Sequence, residues 1–454
     1  MSNKLLTAYD WKRYPETAAF IYERISGFCK HSALIQDFAD QLQFKTGTRL
    51  SDWVDHLELN WSETLEHQLV KLGYVPVDGA NSHLHQHPDG MFPAIQASDS
   101  KIERLFVRVE SVADFLTIHQ CNLERPITGE TGSAVRQRIV ISDNGLELHV
   151  IERHGAPICA AVMMDADVSL LLKHAEAFQL RKRDFDDDVA GFAEAESLIK
   201  AAIDDLGVDR TCDLFFAAER AYWQQRNGVA RIQKARQDAM GMGWANHDHH
   251  TYRSSRKHFW RLISVLELLG FQLRERFYAG KEAGWGAQVL EQPSAGVVIF
   301  ADVDLSPEEV SQDFAHEPLP ELKQLGTVGL WCRLHGEAFL QAGMHHLECQ
   351  FDFDAAREQL ADENAVKTMK PFTDLPHLKQ AFTAGEIWPV KESRIQSLLD
   401  EGLINEEAAD RFRLQGAIGS HLEILQREEG FKGFNQTGIN EIILETNPLT
   451  QQEK

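Results

Sequence analysis

The chain of 454 residues is poor in several things at once. No apolar run approaches the roughly 18 residues of a membrane-crossing helix, and Met1–Asp10 lacks an apolar core of the signal-peptide kind, so no membrane partner is expected. Basic residues are scarce, 46 Lys and Arg against 69 Asp and Glu, and the formal net charge is −23 with no basic block. Such a field repels phosphate backbones, which argues against nucleic acid as a partner. The six cysteines, Cys29, Cys121, Cys159, Cys212, Cys332 and Cys349, are scattered without a C-x-x-C pair. That excludes a disulfide framework and a zinc knuckle and fits a reducing, cytoplasmic setting. There is no sequence repeat of 20–50 residues and no low-complexity tract. Gly241-x-Gly243 has neither a strand before it nor a lysine after it, so it is no phosphate loop, and neither a Gly-x-Ser-x-Gly elbow nor a Cys/His nucleophile pair is found.

What is present is apolar residue enough for a sizeable core, 43% of the chain, and 20 histidines in clusters. Length alone suggests about three domains or two large ones. Residues 10–75 read as helical, and a turn-rich loop runs from 77 to 93. Residues 102–165 read as βαβββ, with strands at Ile102–Val109, Arg136–Ile141, Leu146–Ile151 and Pro157–Met163. The acidic run Asp184–Asp188 reads as a solvated surface, ahead of helices from 191 to about 237. Gly241-Met242-Gly243 reads as a boundary between an N-terminal region, 1–240, and a second domain, 241–454. There the βαβββ order recurs: a strand at His247–Tyr252, an amphipathic helix at Arg256–Leu269 stopped by Gly270, and strands at Phe271–Phe277, Gly286–Leu290 and Val297–Val303. Further strands are expected at Met344–Phe353 and Ala417–Leu425, and helices at Ala355–Ala361 and across 394–413, broken at Gly402.

Three expected strands after residue 240 carry metal-competent side chains: Asn246 to Arg253, Gly343-Met344-His345-His346-Leu347-Glu348, and Ser420-His421-Leu422-Glu423-Ile424. Two neutral imidazoles and a carboxylate form a facial set on a divalent metal and leave three positions open; Fe(II), Zn and Mn all accept such a set. Strand alternation puts His247, His249 and Thr251 on one face and His250 and Tyr252 on the other. Spacings of 97 and 77 residues are too long to be a local motif, and taken singly each histidine reads better as structural. Three other clusters read as structural or surface residues: His83-x-His85-x-His87 in the loop, Asp55-His56-Leu57-Glu58 in the helical segment, and Glu147, His149, Glu152 and His154 around the first βαβββ unit, where a degenerate second site is the alternative.

Asp248-His249-His250-Thr251-Tyr252-Arg253-Ser254 resembles the D-H-x-A-[LF]-R-T strand of the 2-oxoadipate dioxygenase/decarboxylase (hydroxyglutarate synthase) family, a branch of the vicinal oxygen chelate superfamily. The similarity continues through Leu268-Leu269-Gly270-Phe271, Arg274-Glu275, Val298-Ile299-Phe300 and Asp304-Leu305-Ser306. His345-His346-Leu347-Glu348 resembles the family's N-H-[VF]-T strand, His421-Leu422-Glu423-Ile424 its Y-x-E-F strand, and Glu441–Asn447 its K-I-F-E-S-T-N ending. In all it covers about 241–447. Four departures stand out. Ala279–Gly286 replaces a lysine-rich stretch. The Q-S-S-T motif has no match nearer than Val390–Arg394. Residues 394–413 read as helix where a second βαβββ unit should supply strands. His421 stands where the family has tyrosine.

The resemblance implies an α+β fold, a vicinal-oxygen-chelate-like curved mixed sheet with flanking helices, beside a mainly helical N-terminal region. It implies His249, His346 and Glu423 as Fe(II) ligands and Arg253 as the substrate-binding, catalytic arginine. Arg253 lies an even four residues from His249, hence on the same strand face about 13 Å further on, and a guanidinium can grip a carboxylate through two hydrogen bonds. The implied activity is a non-haem Fe(II) dioxygenase/decarboxylase that takes a 2-oxo acid such as 2-oxoadipate, with O2, to a 2-hydroxy acid. Two alternatives stay open: an oxygen-independent lyase or isomerase using Zn, Mn or Ni, and a non-catalytic small-acid-binding protein. Homo-oligomerisation is left open as well.

Overall fold

A computed structural model of the chain describes residues 11–77, 83–121, 125–158, 167–281 and 283–434. Its backbone is built four times over from one plan: a strand, a helix, and then strands that return so that the last lies parallel to the first. The first unit is Val54–Asn60 (β1), the helix Glu63–Lys71, and Val75–Pro76 (β2), Leu84–Gln86 (β3) and Ala94–Ser98 (β4). The second is Glu103–Arg108 (β5), the helix Val112–Ile118, Val135–Asp143 (β6) and Leu146–Arg153 (β7). It is one strand short; the isolated bridge Thr128–Gln137 marks where that strand would lie. Parallel β1–β4 and β5–β7 pairs meet at an antiparallel β1–β5 seam, giving a seven-stranded sheet ordered β2-β3-β4-β1-β5-β7-β6.

The third unit is His247–Arg253 (β8), the helix Phe259–Leu268, Gln272–Tyr278 (β9), Trp285–Gln292 (β10) and Val297–Asp304 (β11). The fourth is His346–Gln350 (β12), the helix Phe353–Asn364, Thr373–Leu375 (β13), Leu378–Phe382 (β14), Glu386–Trp388 (β15) and Ala417–Arg427 (β16). The same rule, parallel within a unit and antiparallel at the β8–β12 seam, yields a nine-stranded mixed sheet. The fold is therefore α+β with curved mixed sheets and flanking helices, as the sequence implied. The helices Glu392–Asp400 and Glu406–Gln415 do not replace the fourth unit's strands. They are inserted between β15 and β16, while β13 and β14 come from residues the sequence reading left unassigned.

Two expectations change. Residues 54–60 form a strand rather than helix, because their burial has period two: Asp55, Leu57 and Leu59 point one way, with Leu57 and Leu59 in the core, and His56 and Glu58 the other. Pro157 and Ile158 lie in no strand, and the rest of the Pro157–Met163 segment falls outside the described residues, as does Glu441–Asn447.

Two main cores divide the molecule. The first sheet packs with Pro15–His31 and Ala33–Thr46. The second shares one core with Asp188–Leu206 and Val208–Gln225, where Phe192, Phe216 and Trp223 meet Phe259, Leu347 and Ile424. At Gly270 the helix Phe259–Leu268 has just ended; a Cβ there would stand 2.7 Å from Val208, at a φ of +86° that glycine accepts freely. No helix among the described residues is long and apolar enough to cross a membrane.

Candidate metal centre

The β8–β12 seam and the parallel β12–β16 pair bring three residues into one row across the sheet: His249, Glu348 and Glu423. The next row, two residues along, is Thr251, His346 and His421. Side chains of both rows project from the face opposite His250 and Tyr252, which are buried in the core behind, against Phe216 and Glu219. One ligand atom from each of His249, Glu348 and Glu423 falls within 4.8 Å of the others. The Oε1 atom of Glu348 lies 3.0 Å from His249 Nε2 and 2.5 Å from His346 Nε2, and His346 Nε2 is 3.8 Å from Glu423 Oε2. Of the three residues implied as ligands, His249 and Glu423 share this group with Glu348, a donor that sequence reading missed, while His346 stands in the next row with its Nε2 3.8 Å from Glu423. The signal for Glu348 was strand alternation: it is two residues after His346 and so shares that residue's face.

An outer layer fixes each donor. His249 Nδ1 and Asp248 Oδ1 are 2.8 Å apart; Asp248 in turn accepts two hydrogen bonds from Arg427, at 2.9 and 3.0 Å. That arrangement puts the His249 proton on Nδ1 and turns the Nε2 lone pair toward Glu348. His346 Nδ1 meets His345 Nδ1 at 2.6 Å, and Gln380 donates to Glu423 Oε1 at 2.8 Å. His421 holds the Thr383 carbonyl through Nδ1 at 3.0 Å, which leaves its buried Nε2 without a partner.

The electrostatics suit a cation. Burial pushes His249 down to about 4 against the pull of Asp248, and burial with the neighbouring His421 pushes His346 down as well, so both imidazoles are neutral. Burial opposes ionisation of Asp248, but Arg427 and His249 outweigh it and hold the carboxyl well below the usual range. Burial raises Glu423 to about 7, and burial with the neighbouring Glu423 charge pushes Glu348 well up, so the two carboxyls resist ionising together. Two ionised carboxylates about 4 Å apart would repel by roughly 4 kcal/mol even at an effective dielectric of 20. The donor set fits a divalent cation: two neutral imidazoles, two carboxyls that cannot both ionise unaided, and Glu348 Oε2 buried with no hydrogen bond.

Arg253, 6% exposed, extends the His249 face. Its Nε makes no hydrogen bond, and Asp302 approaches no closer than 3.9 Å. Burial raises Asp302 to about 8 despite Arg253, so the guanidinium faces a largely neutral acid. The ring of Trp331 lies 5.7 Å away. Phe300 and Phe434 flank His249 at 4.7 and 5.1 Å, and Phe382 flanks His346 at 5.0 Å.

The same positions in the first sheet carry different chemistry. His149, Phe106 and His56 occupy the row matching Glu423, Glu348 and His249. Glu147, Arg104 and Glu58 occupy the row matching His421, His346 and Thr251. Phe106 fills the central place, stacked on His56 at 3.8 Å and tilted on His149 at 4.5 Å. Arg104 bridges Glu58 and Glu147. Yet the outer layer persists: Asp55 binds His56 Nδ1 at 2.7 Å and takes a forked pair of hydrogen bonds from Arg153, as Asp248 does from His249 and Arg427. Of the histidines expected in an exposed loop, His83 is exposed but two are buried: His85 on β3 pairs with Glu66, and His87 packs against Tyr14, Tyr74 and Phe92.

No family model matches the chain, and no curated protein matches it. Solved structures similar to it include a putative glyoxalase superfamily protein from Ralstonia eutropha JMP134, 12% identical over 57% of this chain and 95% of that one, with a TM-score of 0.32. A mutant 4-hydroxymandelate synthase from Streptomyces coelicolor is 11% identical over 75% of this chain and 95% of its own, with a TM-score of 0.28. Methylmalonyl-CoA epimerase from Mycobacterium tuberculosis is 13% identical over 40% of this chain and 88% of its own, with a TM-score of 0.24. The strand orders and site geometry above stand independently of these distant likenesses.

Proposed function

We propose that the chain is a non-haem Fe(II) dioxygenase/decarboxylase that takes a small 2-oxo acid of the 2-oxoadipate kind and O2 to a 2-hydroxy acid one carbon shorter and CO2. The observation that carries the metal-enzyme reading is the meeting of His249, Glu348 and Glu423 at one buried point, with His346 beside them 2.5 Å from Glu348. The resemblance around His249, His346 and Glu423 supports the reaction class.

His249 and His346 would hold the metal through Nε2 and Glu423 through a carboxylate oxygen. A divalent cation there supplies a Lewis acid and a template for the substrate's vicinal oxygens and O2. The chain's own residues do the rest. Glu348 releases its proton as positive charge arrives. Asp248, with Arg427 behind it, keeps His249 in the donating tautomer. Phe300, Phe382 and Phe434 exclude water. Arg253 takes the distal carboxylate, which sets the length of acid the site accepts.

One observation favours a second reading. If Glu348 stays on the metal with the other three donors, an octahedral cation keeps two open positions: enough for vicinal oxygens, with none for O2. The centre would then act as an oxygen-independent lyase or isomerase with Zn, Mn or Ni. Fe(II)-loaded protein assayed for O2 uptake with a panel of 2-oxo acids separates the two. Uptake that Arg253→Ala weakens through KM for diacids, and not for monoacids, supports the dioxygenase. Metal binding without uptake, and turnover in the absence of oxygen, supports the alternative. Metal content unchanged in the His249→Ala and His346→Ala variants would leave only a non-catalytic binding protein.

A further inference from the structure

A crevice of about 410 Å³ lies between the two halves, walled by Asp55, Arg108 and Arg153 on one side and His247, Asp248 and Arg427 on the other. Arg274 and Lys432 complete its basic side chains. Four of these five cations are committed. Arg153 is 2.8 Å from Asp55, Arg427 is 2.9 Å from Asp248, Arg274 is 2.6 Å from Glu275, and Lys432 is 3.0 Å from Glu291. Arg108 is not: among the described residues its half-buried guanidinium makes no hydrogen bond or ion pair. Asp55, the acid that attracts it most, already serves both Arg153 and His56. His247 Nδ1 is buried and also lacks a partner. At the mouth, Gly296 is exposed and, having no side chain, leaves the space beside the Arg108 guanidinium open.

We propose that this crevice binds a small oxyanion, a carboxylate or a phosphate, gripped by Arg108. A partly desolvated guanidinium without a counter-ion gains most from a group that accepts two parallel hydrogen bonds, and both anions have that geometry. His247, which also lines the crevice, has a ring nitrogen without a partner. Asp248 stands on the crevice wall and holds His249 on its other side, so an anion here sits one residue behind the metal ligands and outside their row. The site does not depend on which metal chemistry the centre performs.

Calorimetric titration of the full-length protein with inorganic phosphate and, separately, succinate, at constant ionic strength against chloride, tests the assignment. Saturable binding of one of them is expected, weakened about tenfold or more by Arg108→Gln and less by Arg108→Lys, with bound-metal content unchanged in both variants. The two titrations distinguish a phosphate site from a carboxylate site. No saturable heat with either anion on the unaltered protein, or equal affinity in Arg108→Gln, overturns the proposal. Metal content and O2 uptake read the metal centre separately, so either conclusion can fail without the other.

Discussion

The two halves of this molecule place side chains at matching positions of matching sheets and reach opposite chemistry. In the second half the central row is His249, Glu348 and Glu423; in the first it is His56, Phe106 and His149. Both keep the Asp–His–Arg support, through Asp248 and Arg427 or Asp55 and Arg153. The second half leaves buried carboxyl and imidazole atoms without protein partners, whereas the first closes the same space with an aromatic ring and the Arg104 guanidinium. The strand framework and its outer hydrogen bonds therefore do not make a metal site. Two or three inward-facing residues decide whether the space is left with unpaired donor atoms or is filled from within.

The sharpest break of that comparison is metal content. His249→Ala or Glu423→Ala should lower metal affinity by more than about 100-fold, since even outer partners of metal ligands are worth about 10–100-fold. His56→Ala and His149→Ala should leave it unchanged; elemental analysis of the purified variants reads this directly. Next come the supports. Arg427→Met and Arg153→Met each strand a buried aspartate and should each cost about 3–5 kcal/mol in urea unfolding. Only the Arg427 variant should also weaken metal binding. Phe106→Ala, which empties the closed row, should cost a similar 3–5 kcal/mol and leave metal content intact.

The halves should also part with pH. In the metal-free protein Asp302 at about 8, Glu337 at about 7 and Glu423 at about 7 hold protons more tightly folded than unfolded, burial being the main cause in each. That stabilisation is complete below about pH 4 and is lost as the pH rises toward 8. In the first half Asp55 and Glu147 go the other way. Burial opposes their ionisation, but Arg153 with His56, and His149 with Arg104, outweigh it. Their contribution is present above about pH 4 and fades on acidification. Hydrogen exchange at pH 5 and pH 8 should therefore show the second sheet loosening at the higher pH and the first sheet holding, with added metal reversing the difference. The smallest effect expected is Gln380→Ala, about tenfold in metal affinity and about 1 kcal/mol in stability.

Much of the second half was legible because its signals are local. The β8 strand, the helix after it and the β9–β11 meander follow from periodicity and from Gly270, and the two helices before β16 from apolar spacing. The fourfold plan was not, because the units share a hydrogen-bonding pattern rather than residues. β1 was hidden for the same reason: Asp55-His56-Leu57-Glu58 carries the alternation of a strand inside a stretch whose apolar spacing elsewhere is helical. Glu348 was in view beside His346, but nothing local says that Glu423 lies across from it on a neighbouring strand. Gln380 and Arg427 support the centre from positions that carry no motif at all.

By itself the sequence determined which faces the side chains take, since alternation along a strand is set by covalent geometry. It therefore determined that His249 and Arg253 look the same way, and that Glu348 joins His346. Only the tertiary structure decided that His249, Glu348 and Glu423, 99 and 75 positions apart, close into one row, because strand order and register are fixed by how the helices and sheets bury their apolar faces. The same packing decided that the first half, with its own Asp-His pair intact, is shut by Phe106 and Arg104.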